Sequence, residues 1–567
     1  MISVSGKKWI ERKVNKNSVE KIKQNFQFSE ILSRLIVSRN YDATEINNIN
    51  NNLNFTNVFK NNSDFNDASE LLASTIKKKE NICILGDYDV DGSASTSLLV
   101  RFFKHIKHPH FYYIPDREKD GYGASIKLFQ KLILQKPKLI IMVDCGSTAN
   151  EAINFLNKKN IKSIIIDHHD LNKPYPKSNL IINPKKDNGY IEYDYFCATT
   201  LTYLFIDILI KKIKSDFKLS SFLIYVLLAT ICDVMPLRKI NKIIASNVIN
   251  NFKQNENIVF NLLFEQIGIK KKLTIDDLGY LVGPIINSGG RLGFSSFGTE
   301  LLSSNDPILI KKKSNQLIKL NNKRKELEQN ILSKINFEQI RKENKNVIIY
   351  YDNNINEGLI GIIAARLKDH FNKPSIVITN SNNLLKGSAR STSNYNIGNV
   401  IKLLLDKNVI KNGGGHNMAA GFTLKKNNIE ILTNFIQKDY LSKISNIEIN
   451  NKYDIEISSS AINKDFMDEI NKLGPFANEN FLPIFLIKDL KIIKVNVLDK
   501  KHISAILKPN IGSTIKSICF NCMNNKISEY LMSYKKKINI MAQIQENVWN
   551  NKKTTQLIIK DILINVN

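Results

Sequence analysis

Apolar and polar positions change period several times along the chain, and each change predicts a change of architecture. Between about residues 82 and 235, short and nearly unbroken apolar runs alternate with amphipathic stretches. Ile82–Leu85, Phe111–Ile114, Lys138–Val143, Lys162–Ile166 and Leu180–Ile182 have strand character. Runs without polar alternation fit strands buried on both faces, and the stretches between them fit crossover helices. The pattern predicts a parallel sheet covered by helices. Ala68–Lys79 predicts the helix that feeds the first strand, and Thr199–Ile213 and Phe222–Ile231 predict apolar helices. Asp306 to about Gln339 is a long, charged helical run, suited to a connecting strut.

A second, smaller α/β unit follows. It starts at Val347–Tyr350, continues through Gly358–Arg366, Ser375–Ile378 and Gly387–Ser391, and closes near Gly413–His416. From about residue 450 the apolar segments are short and alternating. Tyr453–Ile457, Pro483–Ile487, Lys491–Val497, Ile503–Leu507, Ile538–Ile544 and Thr555–Ile559 predict a β-barrel. Residues 1–60 predict helix and then an Asn-rich segment, with Ile46–Asn62 looping over the surface. The expected division is 1–60, 61–300, 301–345, 346–448 and 449–567, with no internal repeat.

Composition narrows the function classes. No apolar run approaches the length of a membrane span, and the N-terminus lacks the apolar core of a signal peptide, so a cytoplasmic chain with no membrane partner is expected. The net charge of +28 favours a polyanionic partner, although the Lys, Asn and Ile bias is spread along the whole chain. Of the six cysteines, Cys83, Cys145, Cys197 and Cys232 sit in or beside apolar segments, while Cys519-x-x-Cys522 is a lone pair with no second pair to complete a zinc site. No Gly-Lys-Ser/Thr loop is present to cradle a nucleoside triphosphate.

Strand ends carry the candidate chemistry. The first strand runs into Asp87, Asp89 and Asp91, the third into Asp144, and the fourth into Asp167-His168-His169. An isolated D-x-D-x-D is as readily a solvated acidic turn, and Asp144 alone as readily a helix cap. In open parallel sheets, however, ligands gather at the carboxyl ends of strands, so these groups converge on one crevice, with Asp233 as a further contributor. Adjacent anions repel by a few kcal/mol per pair at an effective dielectric of ~20, which a fold tolerates when cations sit among them. Carboxylates mixed with His suit Mn²⁺ or Mg²⁺, and their number suffices for two ions ~3.5–4 Å apart, the arrangement for phosphoester hydrolysis.

The set Asp87-Tyr88-Asp89-Val90-Asp91-Gly92, Val143-Asp144-Cys145-Gly146, Asp167-His168-His169 and Cys232-Asp233-Val234-Met235-Pro236-Leu237 resembles the four motifs of the DHH phosphoesterase superfamily. Further stretches resemble its single-strand-specific 5′→3′ exonuclease branch: Lys8-Trp9-x-x-Arg12, a Gly283–Leu292 loop, Leu320-Asn321-x-x-Arg324, Gly387–Ser391, Gly414–Gly421, Gly474-Pro475-Phe476 and Gln556–Asp561. The resemblance implies a parallel-sheet DHH domain over 61–300, a long connecting helix, a smaller α/β DHHA1 domain and a C-terminal OB-fold β-barrel. It implies that Asp87, Asp89, Asp91, Asp144, His168 and Asp233 hold two divalent cations, Mn²⁺ or Mg²⁺. Asp144, His168 and His169 would be catalytic. Arg291, Ser388, Arg390, Gly415 and His416 would grip substrate phosphates, and Phe476, Phe481 and Trp549 would be stacking platforms.

The sequence departs from that pattern at Ile285, where Arg is usual, and at Asn356, where His is usual. Cys197-Ala198-Thr199-Thr200 replaces a Gly-Ala-Gly-like stretch, and Ala477 and Glu479 replace glycines. The implied activity is hydrolysis of single-stranded DNA to 5′-mononucleotides in repair and recombination, with a single-strand-binding protein and a helicase as partners. The alternatives are a phosphoesterase of short oligonucleotides or cyclic dinucleotides, and a non-catalytic strand-binding factor.

Overall fold

The computed structural model describes residues 1–49, 58–116, 120–121, 123–187, 190–381, 383–444, 450–523, 525–533, 537–549 and 552–563. Part of the predicted Asn-rich surface segment, residues 50–57, lies outside the described residues. The chain forms two compact units. One comprises Thr56–Asp233 and Phe252–Ile447, the other Met1–Phe55, Val234–Asn251 and Glu448–Asn567. The N-terminal segment thus packs with the C-terminal part of the chain.

The first unit contains two sheets. Its first sheet has five parallel strands in the order His110–Tyr113, Ile82–Leu85, Leu139–Val143, Lys162–Ile166, Leu180–Ile182. The order reverses between Ile82–Leu85 and Leu139–Val143, which opens a crevice at their carboxyl ends. Both of these strands are completely buried. On one face, Cys83, Leu85, Ile140, Met142 and Ile165 pack against Leu128, Phe129, Leu132, Ile153 and Leu156. The helix Val90–His105 is buried from Val90 through Phe103.

Gly283–Leu292 is not a loop: Gly283–Arg291 is a helix, preceded by a π-helical turn over Asp277–Val282. Its glycines serve close packing. A Cβ on Gly290 would come within 2.8 Å of Tyr88, and one on Gly283 within 2.3 Å of the Cys232 sulfur. The connecting run is also two helices, Pro307–Lys334 and Phe337–Glu343. Asp306 caps the first, with Pro307 at its opening position. Ile310, Ser314, Leu317, Asn321, Arg324 and Glu328 form its buried stripe. Glu328 ends that stripe by pairing with Arg324 at 2.8 Å and with Arg366 at 2.6 Å.

The second sheet of this unit has the order Asn412–His416, Ala419–Leu424, Leu384–Arg390, Ser375–Ser381, Ile348–Tyr351. Only Ile348–Tyr351 and Ser375–Ser381 pair in parallel. Leu327, Ile331 and Ile335 share one core with Leu359, Ile363, Leu367 and Val377 on this lobe.

The other unit is built on a closed barrel of five strands. Phe485–Leu498, His502–Lys508, Ile515–Cys519, Lys552–Leu563 and Lys537–Trp549 pair in that order, and the last pairs with the first. The two predicted strands Pro483–Ile487 and Lys491–Val497 are one strand, with register shifts at Ile487/Leu490 and Ile492/Lys494. Each bulge puts the apolar alternation out of phase, which splits the pattern in two. Cys519 and Cys522 are buried beside the barrel, and the Cys522 thiol donates to the Cys519 carbonyl at 3.2 Å. Burial pushes the Cys519 thiol up, as expected of an inert core group.

Lys8–Glu11, within a stretch predicted to be helical, is a strand paired in parallel with Asn450–Tyr453. Trp9 is buried and donates its Nε1–H to Asp561 at 3.0 Å. In the same unit, Glu45 holds Arg238 through two 2.6 Å contacts, and the Arg238 and Lys242 cations lie 4.6 and 5.0 Å from the Tyr41 ring centre.

Lys242 is 8% exposed, and burial pushes its amine down to about 8. Because the folded pKa lies below the unfolded value of ~10.4, the charged form is disfavoured by folding, and that cost is present in full below about pH 8 and fades as pH rises towards ~10.4. Lys242→Met is therefore expected to stabilise this unit at pH 7 by roughly 2 kcal/mol, with the advantage shrinking by pH 10. Chemical denaturation of both proteins at the two pH values checks it. An advantage independent of pH would show that the charge is not the cause.

Candidate metal centre

Each acidic residue is placed by the strand or helix end that carries it. Asp87 turns back to accept its neighbour's amide, Tyr88 N, at 2.8 Å. Asp89 is the N-cap of the helix Val90–His105 and accepts from Gly92 N at 3.0 Å. Gly92 must be a glycine, because a Cβ there would lie 2.5 Å from the Asp87 carbonyl oxygen. Asp91 faces the start of the helix Ala198–Ile213. Its carboxylate accepts from Ala198 N and Thr199 N, both at 2.8 Å, and from the Thr199 hydroxyl at 2.6 Å. A helix N-terminus stabilises an anion, so Asp91 is an anchored carboxylate. Asp144 is 2% exposed with φ +59°, a left-handed conformation that non-glycine residues adopt at a cost of ~1 kcal/mol or more.

These side chains meet around His168. Its Nε2 lies 3.3 Å from Asp233, 3.4 Å from Asp144 and 3.7 Å from Asp91. Three groups bring ligand atoms within 4.8 Å of one another: Asp144 with His168 and His169; Asp91 with His168 and Asp233; Asp87 with Asp89 and Asp144. Burial, and then Asp91, Asp89, Asp87 and Asp233, hold the Asp144 carboxyl well above its usual range. Burial and Asp91 raise Asp89 likewise. Burial and the neighbouring His169 push His168 down to about 4, which leaves a neutral imidazole.

Neither His168 Nε2 nor Asp144 Oδ1 has a hydrogen-bond partner, although both are buried. A ring nitrogen facing three carboxylates without a hydrogen bond to any is an arrangement that cations complete. The donors are oxygen and imidazole nitrogen with no thiolate, which fits Mn²⁺ or Mg²⁺. The residues present therefore fit a pair of such ions.

Asp167, part of the sequence motif but not singled out as a site residue, has a distinct task. Its carboxylate accepts from Ser147 N at 3.1 Å, from His168 N at 2.8 Å and from His169 N at 3.2 Å, and it contacts His169 Nδ1 at 2.8 Å. Burial opposes ionisation of both partners. Their mutual attraction nevertheless holds Asp167 well below its usual range and raises His169 to about 10. Asn183 supports the pair by donating to the His169 carbonyl and the Ser147 hydroxyl, both at 2.9 Å. Its signal in the sequence is Asn183-Pro184 closing the fifth strand. Thr199 falls in the stretch that departs from the family pattern, and Asn287, which accepts from Val90 N at 3.1 Å, was hidden inside the supposed loop.

The second lobe of the same unit supplies His416 and Arg390, and the first lobe supplies Arg291. The His416 ring stacks near His169, with centroids 6.2 Å apart, and its Nδ1 lies 3.9 Å from Asp170. Gly415 pairs with Ala420, and Ala419 bridges the ladder between His416 and Arg390. Arg390 donates to the Ala389 carbonyl at 2.8 Å and to the Ser388 hydroxyl at 3.3 Å. Arg291 donates to the Gly358 carbonyl at 3.2 Å. Of the suggested stacking residues in the barrel unit, Phe481 is exposed, whereas Phe476 packs partly buried against the barrel core. The side chain of Trp549 lies outside those described.

Comparison with known proteins adds three domain matches: the DHH family, N-terminal domain over residues 81–231, the DHHA1 domain over 344–440 and the RecJ OB domain over 453–561. The chain is 25% identical over 576 residues to the single-stranded-DNA-specific exonuclease RecJ of Bacillus subtilis, covering 98% of this chain and 71% of that protein. It is 26% identical over 524 residues to the protein of the same name from Haemophilus influenzae, covering 87% and 89%. Its fold matches the crystal structure of RecJ in complex with Mn²⁺ from Thermus thermophilus, with a TM-score of 0.79, 18% identity and coverage of 98% and 79%. Among the described residues, no helix is long and apolar enough to cross a membrane.

Proposed function

The chain belongs to the RecJ branch of the DHH phosphoesterase superfamily, and from that premise we infer that it is a metal-dependent exonuclease acting on single-stranded DNA. It removes 5′-mononucleotides from the 5′ end of a strand during repair and recombination. The carrying observation is the buried group of Asp144 and His168, whose facing atoms lack hydrogen-bond partners among four further carboxylates.

Asp87, Asp89, Asp91, Asp144, His168 and Asp233 would hold two divalent cations, Mn²⁺ or Mg²⁺. Bound there, the ions would supply an activated water and offset the charge that develops on the leaving oxygen. The chain's own residues do the rest. Thr199 and the helix start behind it hold the Asp91 carboxylate in place. Asp167 fixes the His169 ring and keeps it protonated, so that His169 presents a cation beside the phosphate. Arg291, Ser388, Arg390, His416 and the Gly415 amide grip the strand's phosphates. The barrel guides the strand by backbone charge and by stacking, with exposed Phe481 as the candidate platform.

The closed barrel favours a long strand over the short-oligonucleotide or cyclic-dinucleotide alternative, since small substrates need no guide. We further infer a cytoplasmic location and work alongside a single-strand-binding protein and a helicase, on the strength of the family alone.

The test is a time course with Mn²⁺ or Mg²⁺ on single-stranded DNA labelled at either end, with a duplex competitor and an Asp144→Ala control. Mononucleotides released progressively from the 5′ end, and absent in the control, are expected. Binding without cleavage would make the chain a strand-binding factor, and cleavage confined to di- and trinucleotides would make it a small-substrate phosphoesterase. In the same assay, Asp167→Asn should cost about 10–100-fold in rate or in apparent Mn²⁺ affinity, as loss of a group that orients a site imidazole does. A rate within twofold of the parent would remove Asp167 from the mechanism.

A further inference from the structure

Asn356 stands where the family pattern leads one to expect His, and the role of the turn it opens has no place in the chemistry above. The Asn356 Oδ1 accepts from Gly358 N at 2.8 Å, and its carbonyl accepts from Leu359 N at 2.9 Å. This closes a tight Asx-type turn ahead of the helix Ile360–Phe371. The turn touches the basic groups of both lobes. On one side, the Gly358 carbonyl accepts from Arg291 Nη1 at 3.2 Å. Backbone meets backbone there, for a Cβ on Gly358 would lie 2.1 Å from the Arg291 carbonyl oxygen. On the other side, a Cβ on Gly361 would meet Arg390 Nη2 and Ser388 Oγ, each at 3.1 Å.

We propose that Asn356 is a positioning residue for strand binding: by holding the Gly358 N–H it fixes the turn in which the Gly358 carbonyl aims the Arg291 guanidinium, and so sets its separation from Arg390. The inference rests on the reading of Arg291 and Arg390 as phosphate contacts. The turn acts as a spacer between two anion grips, so the ligand it tunes is a phosphodiester backbone with more than one phosphate engaged. A side-chain acceptor at position 356 is what the geometry needs. Asn supplies it without adding charge, whereas Asp would place an anion beside Arg291. There is no room for a side chain at Gly358 and little slack at Gly361, so spacing is set by backbone contact with Arg291 on one side and by the Ser388 and Arg390 side chains on the other.

The test is a double-mutant cycle on the full chain, reading equilibrium binding of 3′-labelled single-stranded DNA in EDTA together with KM and kcat in Mn²⁺. Asn356→Ala is expected to weaken binding and raise KM by about fivefold to tenfold, with kcat within about twofold. Its slope of log affinity against log salt should fall by up to ~0.7, the share of one phosphate on a single strand. Asn356→Ser, which keeps a neutral acceptor, should recover most of the loss. In the Arg291→Ala background, Asn356→Ala should add almost nothing. Full additivity of the two substitutions, or an Asn356→Ala protein that binds normally, overturns the proposal. If Arg291→Ala itself leaves binding and the salt slope unchanged, it is the phosphate role of Arg291 that fails. A melting temperature shared by Asn356→Ala and the parent separates positioning from simple loss of fold.

Discussion

Asp144→Asn is expected to lower the rate of single-strand hydrolysis by roughly a thousandfold or more, the order of effect seen when one charge-stabilising group is removed from a preorganised site. The substitution isolates charge. Asparagine has the shape of aspartate and tolerates the φ of +59° at this position at least as well, so the backbone has no reason to move. Asp144 also belongs to two of the three potential ligand groups, so its charge is shared by both halves of the centre.

The same change should have the opposite sign on stability without metal. Asp144 is crowded by Asp87, Asp89, Asp91 and Asp233, which together with burial drive its carboxyl upward. Removing one of these charges relieves repulsion, and the variant should melt higher than the parent in EDTA, by on the order of 1 kcal/mol. Adding Mn²⁺ should then stabilise the parent much more than the variant. Thermal melts with and without Mn²⁺, beside the nuclease assay, check both halves. A variant that retains a tenth of parental activity would be incompatible with Asp144 as part of the metal centre.

The second large effect lies in the barrel unit. Asp561→Ala should destabilise the barrel unit by about 3 kcal/mol, because it leaves buried donors unpaired. The Asp561 carboxylate is fully buried and holds three groups: the Ser5 hydroxyl at 2.6 Å, Trp9 Nε1 at 3.0 Å and Ile562 N at 3.0 Å. The first two lie in residues 5–9, so one side chain ties that segment to the strand Lys552–Leu563. Asp561→Asn keeps an acceptor and should lose about half as much. Urea unfolding followed by Trp fluorescence measures it, and a loss below ~1 kcal/mol for the alanine variant would show that the contact is incidental.

The two effects differ in how plainly the chain announces them. Asp87, Asp89, Asp91, Asp144, His168 and Asp233 are legible because a strand buried on both faces must be apolar along its length. A polar residue at its end, Asp87 to Asp91, Asp144 or His168, therefore stands out, and the parallel topology puts such ends side by side; Asp233 stands out instead at the end of the apolar helix Leu223–Cys232. Asp561 carries no comparable signal, for nothing local in Gln556–Asp561 tells that its partners lie at Ser5 and Trp9. Lys8–Glu11 was hidden for the same reason: four residues paired with a strand near residue 450 leave no periodicity of their own.

Glycine misled in a different way. The run from Gly283 to Gly293 has the composition of a turn, yet its glycines let the helix lie against Tyr88 and Cys232, a tertiary demand that only the neighbours reveal. Barrel strands were legible as apolar alternation and illegible where a bulge reset the phase, as at Leu490 and Ile492. Supporting residues such as Thr199, Asn183 and Asn287 act on groups far away in the chain, Asp91, Ser147 and His169, and Val90. Their partners are fixed by the fold, so side-chain type alone could not identify them.

The parallel pairing of Lys8 with Asn450 has a consequence for how the protein is made. A ribosome adds ~5–20 residues per second, so the first strand waits on the order of half a minute before its partner exists. Throughout that interval Trp9 and the apolar faces of Glu30–Ser38 have no native surface to cover them, whereas the parallel sheet from Ile82 to Ile182 can already be assembling. Lys552–Leu563, made long after Lys8–Glu11, supplies the carboxylate that secures it. Chains stalled before Asp561 would therefore expose an unsheltered N-terminal segment ahead of a folded catalytic sheet. Chaperone engagement and proteolysis of nascent chains should concentrate there.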